Sequence, residues 1–164
     1  MTSLTAYKVH ERYSFTTMHG DIALGVCKTG IQLGRLVKRV AIMEEPPIRH
    51  LAYFSGFGAF NENLEISTKL KETNQMIRSP SECLKLGNPE GTFCAGPVTG
   101  PGHPAIGDSG GALIIDKYIQ IGLASYSVKE YSLVAYTNVS YYYSWILRHS
   151  ARLFCHRKLS NVLL

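Results

Sequence analysis

GHPAIGDSGGALII (102–115) sets Asp108 and Ser109 between glycines, just ahead of an apolar run. The loose pattern G-x-S-x-G also describes the strand–turn–helix elbow that exposes a nucleophilic serine in α/β-hydrolases. Context separates the two readings. An elbow needs a strand before the serine and a helix after it. Here the Pro/Gly loop PVTGPGHPAIG (97–107) precedes Ser109, and two β-like runs follow it. The serine is therefore read as part of a mostly β protein.

The flanking sequence agrees. DIALGVCK (21–28) starts acidic and runs apolar, like the start of a buried strand. RLVKRVAIM (35–43) is expected to form another strand, and EEPPIRH (44–50) reads as a linker. Short apolar runs parted by turn residues follow: LAYFSGFG (51–58), the run near LEISTKL (64–70), GTFCAG (91–96), GGALIID (110–116), YIQIGLASY (118–126) and SLVAYTNV (132–139). Such spacing suggests an all-β barrel or sandwich. In YYYSWILRHSARLF (141–154), Tyr142, Trp145, Ile146 and His149 recur at helical steps. Asn138 or Ser140 is placed to cap that helix.

The chain has 164 residues, 45% hydrophobic and 18% charged, enough for one globular core. Closed all-β domains often need roughly 200–250 residues, so the chain is short for a double barrel. The net charge of +5 is scattered except near the C-terminus. No basic–aromatic platform points to nucleic acid, and no run reaches the ~20 apolar residues of a membrane helix. MTSLTAYKVHERYSF (1–15) lacks the apolar core of a signal peptide. Four cysteines allow three pairings. Cys83 and Cys94 bound a Gly/Asn/Pro loop and are the chosen pair, closing a loop worth about 3 kcal/mol. Cys27 and Cys155 are then paired or free, and four buried thiols is the alternative. No cysteine or histidine spacing fits a zinc site, and neither metal nor cofactor is expected.

Acyl transfer needs a hydroxyl nucleophile and two N–H donors aimed at the developing oxyanion. Gly107 permits a turn closed to larger residues, so the N–H groups of Gly107 and Ser109 are able to point to one side. Asp108, next to the nucleophile, is expected to point inward and there to need a cationic partner.

Six segments in order resemble the trypsin/chymotrypsin-like serine endopeptidases: DIAL (21–24), SGFG (55–58), FCAG (93–96), GDSGGAL (107–113), GLASYS (122–127) and YTNVSYYYSWI (136–146). The resemblance covers about Val9 to Trp145. It implies an all-β fold, a trypsin-like double antiparallel β-barrel with the first barrel truncated, plus a C-terminal α-helix. Residues 1–43 would be the remnant of the first barrel, 44–50 the linker, 51–140 the second barrel with the nucleophile, 141–154 the helix and 155–164 a tail. It further implies Asp21 and Ser109 as catalytic residues, Gly107 and Ser109 as the oxyanion hole, and Ser125 on the strand that pairs with substrate. His103, Ser127 and Val134 would line the specificity pocket. The implied partners are a protein or peptide substrate and a protease inhibitor, acting on a secreted monomer.

Departures from the family pattern sharpen this reading. Ala105 stands where members commonly carry a cysteine, and a second family bridge would join the positions of Ala52 and Ile115. Cys83–Cys94 is the family bridge that remains. His103 replaces the aspartate of trypsin-like members, so cleavage after Arg or Lys is not expected. A small or medium apolar side chain suits the branched wall at Val134 better. The resemblance also places the catalytic histidine roughly 45 residues before the triad aspartate, whereas twenty residues precede Asp21. The histidine's segment is thus expected to be absent. None of His10, His19, His50, His103, His149 and His156 is expected to substitute. The new N-terminus that pairs with the family's aspartate is also missing, which would leave Asp108 unpaired and its loop collapsed or mobile. Three readings follow: an incomplete serine endopeptidase, an inactive homologue that binds or acts as a decoy, or a nonfunctional remnant.

Overall fold

The structure is a computed structural model describing residues 3–160, apart from 62, 88, 100 and 101; for 154–160 only the backbone is described. Eight strands carry the architecture: β1 (Leu4–Val9), β2 (Ala23–Cys27), β3 (Leu51–Gly56), β4 (Lys71–Ile77), β5 (Thr92–Pro97), β6 (Ala112–Ile115), β7 (Ile119–Val128) and β8 (Leu133–Asn138). The last six close into an antiparallel barrel in the order β3-β4-β5-β8-β7-β6, while β1 and β2 form a separate two-stranded sheet. A short helix α1 (Pro80–Cys83) precedes β5, and α2 (Tyr143–Ser160) ends the described chain.

The barrel closes because alternate residues point inward. Ala52, Phe54, Leu113, Ile115, Ile121, Val134 and Tyr136 fill one buried cluster. The Tyr136 ring stacks on Phe93 at 5.8 Å between centroids. A second cluster buries Cys83, Leu86, Cys94, Leu133 and Ala135 beside α1.

Two expected strands are not there. RLVKRVAIM (35–43) contains no strand; Ala41 alone bridges to Ile119. Its apolar residues come as one pair, Leu36–Val37, and one run, Val40–Met43, rather than alternating, and residues 31–40 are exposed throughout. LEISTKL (64–70) contributes only a bridge between Ile66 and Ala59. The strand lies just beyond it, at β4, whose sequence KETNQMI hides its inward face. Gln75 is fully buried there. Its Nε2 donates to the Gly102 carbonyl at 2.7 Å and to Thr73 Oγ1 at 3.1 Å. A polar inward position held by hydrogen bonds from its Nε2 leaves no apolar alternation to read.

The helical spacing predicted for Tyr142, Trp145, Ile146 and His149 matches the packing of α2. Tyr142 and Ile146 are buried with Ile22 and Val139, and Trp145 packs against that cluster. Asn138 Oδ1 accepts from the backbone N–H of Ser140 (3.0 Å) and Tyr141 (3.3 Å), closing the turn before the helix.

Glu11 ties the end of β1 to α2. It accepts from Trp145 Nε1 at 2.8 Å, meets Lys8 Nζ at 2.7 Å and lies 3.5 Å from His149 Nε2. The bonds from Lys8 and then Trp145 hold its carboxyl down at about 2. A carboxyl whose folded pKa is depressed stabilises the fold above its unfolded value, and that contribution fades as pH falls towards the folded one. Stability carried by Glu11 is therefore expected to disappear between about pH 4.5 and pH 2. Trp145 is the only tryptophan in the chain. Its fluorescence during urea unfolding at stepped pH measures the effect. The Glu11→Gln chain should lose less stability than the parent across that window, and equal losses would remove Glu11 from the account.

Candidate active site

Gly107, Asp108 and Ser109 occupy the turn entering β6. Gly107 takes φ +95°, a region that side-chain-bearing residues rarely adopt. The Asp108 N–H donates to the Ala105 carbonyl at 2.9 Å, and the Gly111 N–H donates to the Asp108 carbonyl at 2.9 Å. These bonds fix the turn on both sides of the serine. Among the described residues, no protein acceptor takes the N–H of Gly107 or of Ser109. Ser109 is exposed. The turn therefore carries an exposed hydroxyl and two uncommitted backbone donors within three residues.

Asp108 points inward, but backbone amides and not a cation receive it. Gly58 N–H donates to Oδ1 at 2.8 Å and Ala105 N–H to Oδ2 at 3.0 Å. No ion pair reaches Asp108 among the described residues. No cation pairs with Asp108 among them, as expected, and its carboxylate is satisfied instead by two N–H donors. Gly56 and Gly58, the glycines of SGFG, make room for it: a Cβ on either would overlap the Asp108 carboxylate. Resemblance marked this motif, but nothing in the sequence showed that it cradles Asp108. Burial, and then the Asp108 charge, push the Tyr136 hydroxyl well above the ordinary tyrosine range.

Asp21 is held at both ends. Thr137 Oγ1 donates to its backbone carbonyl at 2.8 Å, and Ser125 Oγ donates to its Oδ2 at 2.6 Å. The aim of Ser125 comes from a β-bulge. Between the pairs Ala124–Tyr136 and Tyr126–Ala135, β7 advances two residues while β8 advances one, leaving Ser125 as the extra residue. Ser125 also links Asp21 to the nucleophile. With Ser109, Ser127 and Val134 it lines a cavity of about 150 Å³. Tyr126 forms part of the same wall, and its hydroxyl donates to the Leu86 carbonyl at 2.7 Å. Ser127 and Val134 face each other in the β7–β8 register.

His103 sits elsewhere. It lines a neighbouring cavity of about 590 Å³, with Phe54, Phe60, Lys71, Thr73 and Asp108. Its Nδ1 is buried without a hydrogen-bond partner among the described residues. The other described histidines make their contacts with other residues. The His10 ring packs against Tyr142 and Trp145 at 5.0 and 5.1 Å, and its Nδ1 accepts from the Arg12 N–H. Burial holds His10 below the ordinary histidine range. His149 faces Glu11, the His19 carbonyl pairs with the Ser14 N–H, and the His50 carbonyl pairs with the Ile77 N–H. The His156 side chain lies outside the described residues. No hydrogen bond joins a described histidine to Asp21 or Ser109. Cys83 and Cys94 form a disulfide, with Cα atoms 5.5 Å apart. The pairing of Cys27 with Cys155 falls on a side chain outside the described residues.

The closed six-stranded barrel, the second sheet and the C-terminal helix are those of the trypsin-like serine protease fold. The structure of neuropsin, a serine protease expressed in the limbic system of mouse brain, superposes with a TM-score of 0.82 at 23% identity, covering 91% of this chain and 71% of that one. The family model described as Trypsin matches residues 2–146, and this chain belongs to that family. Trypsin eta of Drosophila melanogaster is 32% identical over 149 residues, which is 85% of this chain and 56% of that protein. Human transmembrane protease serine 11A is 28% identical over 155 residues, covering 84% of this chain and 37% of that protein. The chain thus spans about half the length of trypsin eta.

Proposed function

We propose that these residues carry the nucleophile half of a serine endopeptidase site. In the reaction, Ser109 Oγ attacks the scissile carbonyl carbon and its proton passes to a base. The N–H groups of Gly107 and Ser109 hold the oxyanion, and the base then protonates the departing amine. Water hydrolyses the resulting acyl-enzyme. Asp21, clamped by Ser125 and Thr137, is the carboxylate that would orient the base. The cavity beside Ser109 suits a small or medium apolar substrate side chain, with Ser127 and Val134 as its walls. One observation carries the reading: two uncommitted N–H donors flank an exposed serine on a turn fixed by Asp108. The disulfide suits an oxidising compartment, which supports a secreted whole protein.

The 164 residues alone are expected to be inert. Serine needs a base within hydrogen-bond reach, and no described histidine is hydrogen-bonded to Asp21 or Ser109. The base is assigned to a segment outside this sequence. A fluorophosphonate probe tests this, because the serine oxygen must displace fluoride from phosphorus. The chain as given should remain unlabelled. Rapid labelling that disappears in Ser109→Ala would overturn the reading of an inert chain. Labelling gained when an upstream histidine-bearing segment is supplied would support the nucleophile assignment. The missing base equally favours a second reading, an inactive homologue that binds a partner or acts as a decoy. Persistent inertness with such a segment in place would select it.

A further inference from the structure

Asn138-Val139-Ser140 takes no part in the serine chemistry. It is the only N-x-S/T triplet in the sequence, and its middle residue is not proline. The pattern marks an asparagine for N-linked sugar in proteins that pass through the secretory compartment. So short a pattern needs structural support: an amide nitrogen that reaches solvent and has no other task.

Asn138 ends β8, and the two ends of its amide differ in what they do. Oδ1 accepts from the Ser140 hydroxyl at 2.8 Å, the Ser140 N–H at 3.0 Å and the Tyr141 N–H at 3.3 Å. Backbone N–H groups only donate, so the oxygen and not the nitrogen faces them. Nδ2 is thereby turned the other way. It makes no hydrogen bond among the described residues, and it is not one of the buried polar atoms left without a partner. Asn138 is half-buried, so its nitrogen is the part that meets solvent. The surroundings are the barrel and the turn before α2. Asn138 pairs with Gly122 across β7, its N–H donates to the Gly91 carbonyl at 2.8 Å, and its carbonyl accepts from the Tyr142 N–H at 3.3 Å. None of these partners belongs to residues 1–43. Asn138 lines neither cavity at the serine site.

We propose that Asn138 carries an N-linked glycan, an inference that rests on the reading of a secreted whole protein. The sugar donor is an oligosaccharide held on a lipid pyrophosphate. Nδ2 bonds to the anomeric carbon, the bond from that carbon to the pyrophosphate oxygen breaks, and the nitrogen gives up one of its two protons. The amide oxygen is untouched, so all three bonds that close the turn survive. Modification and turn closure thus use opposite ends of one amide, and the folded chain keeps both. The sugar leaves the cavities beside Ser109 and His103 unoccupied.

The test expresses the full chain behind a cleavable secretory signal in animal cells, with a reporter N-x-T triplet appended at the C-terminus to record delivery. Peptide N-glycosidase F should remove two sugars from the parent, seen as two steps in mobility. One step should vanish in Asn138→Gln and in Ser140→Ala, and Ser140→Thr, which keeps the hydroxyl, should restore it. Asn138→Asp keeps an oxygen to close the turn but has no amide nitrogen; it should fold, by Trp145 fluorescence, and show the reporter's step alone. Deglycosylation in heavy-oxygen water should convert Asn138 to a labelled aspartate, found by peptide mass. Two results overturn the proposal: the parent shows only the reporter's step, or two steps persist in Asn138→Gln. In the first, the modified reporter proves delivery, so this inference falls while the secreted reading stands. No arm depends on Ser109, so catalysis does not enter the outcome.

Discussion

Replacing Cys83 and Cys94 together by alanine is expected to lower the melting temperature by about 6–12 °C, the equivalent of about 3 kcal/mol. The two cysteines are 11 residues apart in sequence and both are buried. The loop between them has little else to hold it. α1 is four residues long, and a three-residue 3-10 turn, Leu84–Leu86, follows it. A capping box at Ser79 and Glu82 secures its entry, but such a cap contributes only about 1 kcal/mol. The disulfide is the main tether. Its loss should also reach the serine site, because Tyr126 spans the two regions. Its hydroxyl is bonded to the Leu86 carbonyl while its body lines the cavity beside Ser109. Alanine is the right replacement because serine would bury two hydroxyls among Leu86, Leu133 and Ala135. Calorimetry of the parent and the double variant decides the matter. Coincident melts would show that packing, and not the disulfide, holds this loop.

The sequence displayed the barrel where inward positions are apolar and hid it where they are polar. β3, β6, β7 and β8 alternate or run apolar; β3, β6 and β8 lie within stretches read as strands, and β7 runs two residues past its stretch. β4 escaped because Gln75 occupies a fully buried inward position through hydrogen bonds to a distant loop. The false strand at 35–43 shows the converse. Apolar residues without alternation and without a partner strand remain exposed over 35–40, and only Ala41, Ile42 and Met43 reach the core. The site was legible in its local chemistry, since Gly107 and Ser109 lie on one turn. Its long-range parts were not. The bulge that aims Ser125 at Asp21 depends on a count between two strands. The partner of Asp108 was expected to be a cation because burial of a charge suggests one. Two backbone amides serve instead, and backbone donors leave no trace in side-chain identity.

That last arrangement makes Gly58 the position at which one methyl group should do the most local damage. An alanine Cβ there would fall on both Asp108 carboxylate oxygens. The Gly58 segment cannot retreat without withdrawing the N–H that Asp108 Oδ1 accepts at 2.8 Å. Asp108 cannot retreat without carrying Gly107 and Ser109 with it. Either movement costs about 1–3 kcal/mol, or about 2–12 °C in melting temperature. Amide exchange should quicken at Asp108 and Gly111, whose N–H groups hold the turn together. Gly34→Ala is the control, since nothing lies within 4 Å of the Cβ it would add. It should change stability by no more than about 0.5 kcal/mol. The cause is separable from a general intolerance of bulk at Gly58. If the carboxylate is what the methyl strikes, adding Asp108→Ala to Gly58→Ala should cost less than the sum of the two single changes. Strict additivity would place the clash elsewhere and leave the oxyanion turn independent of the SGFG segment.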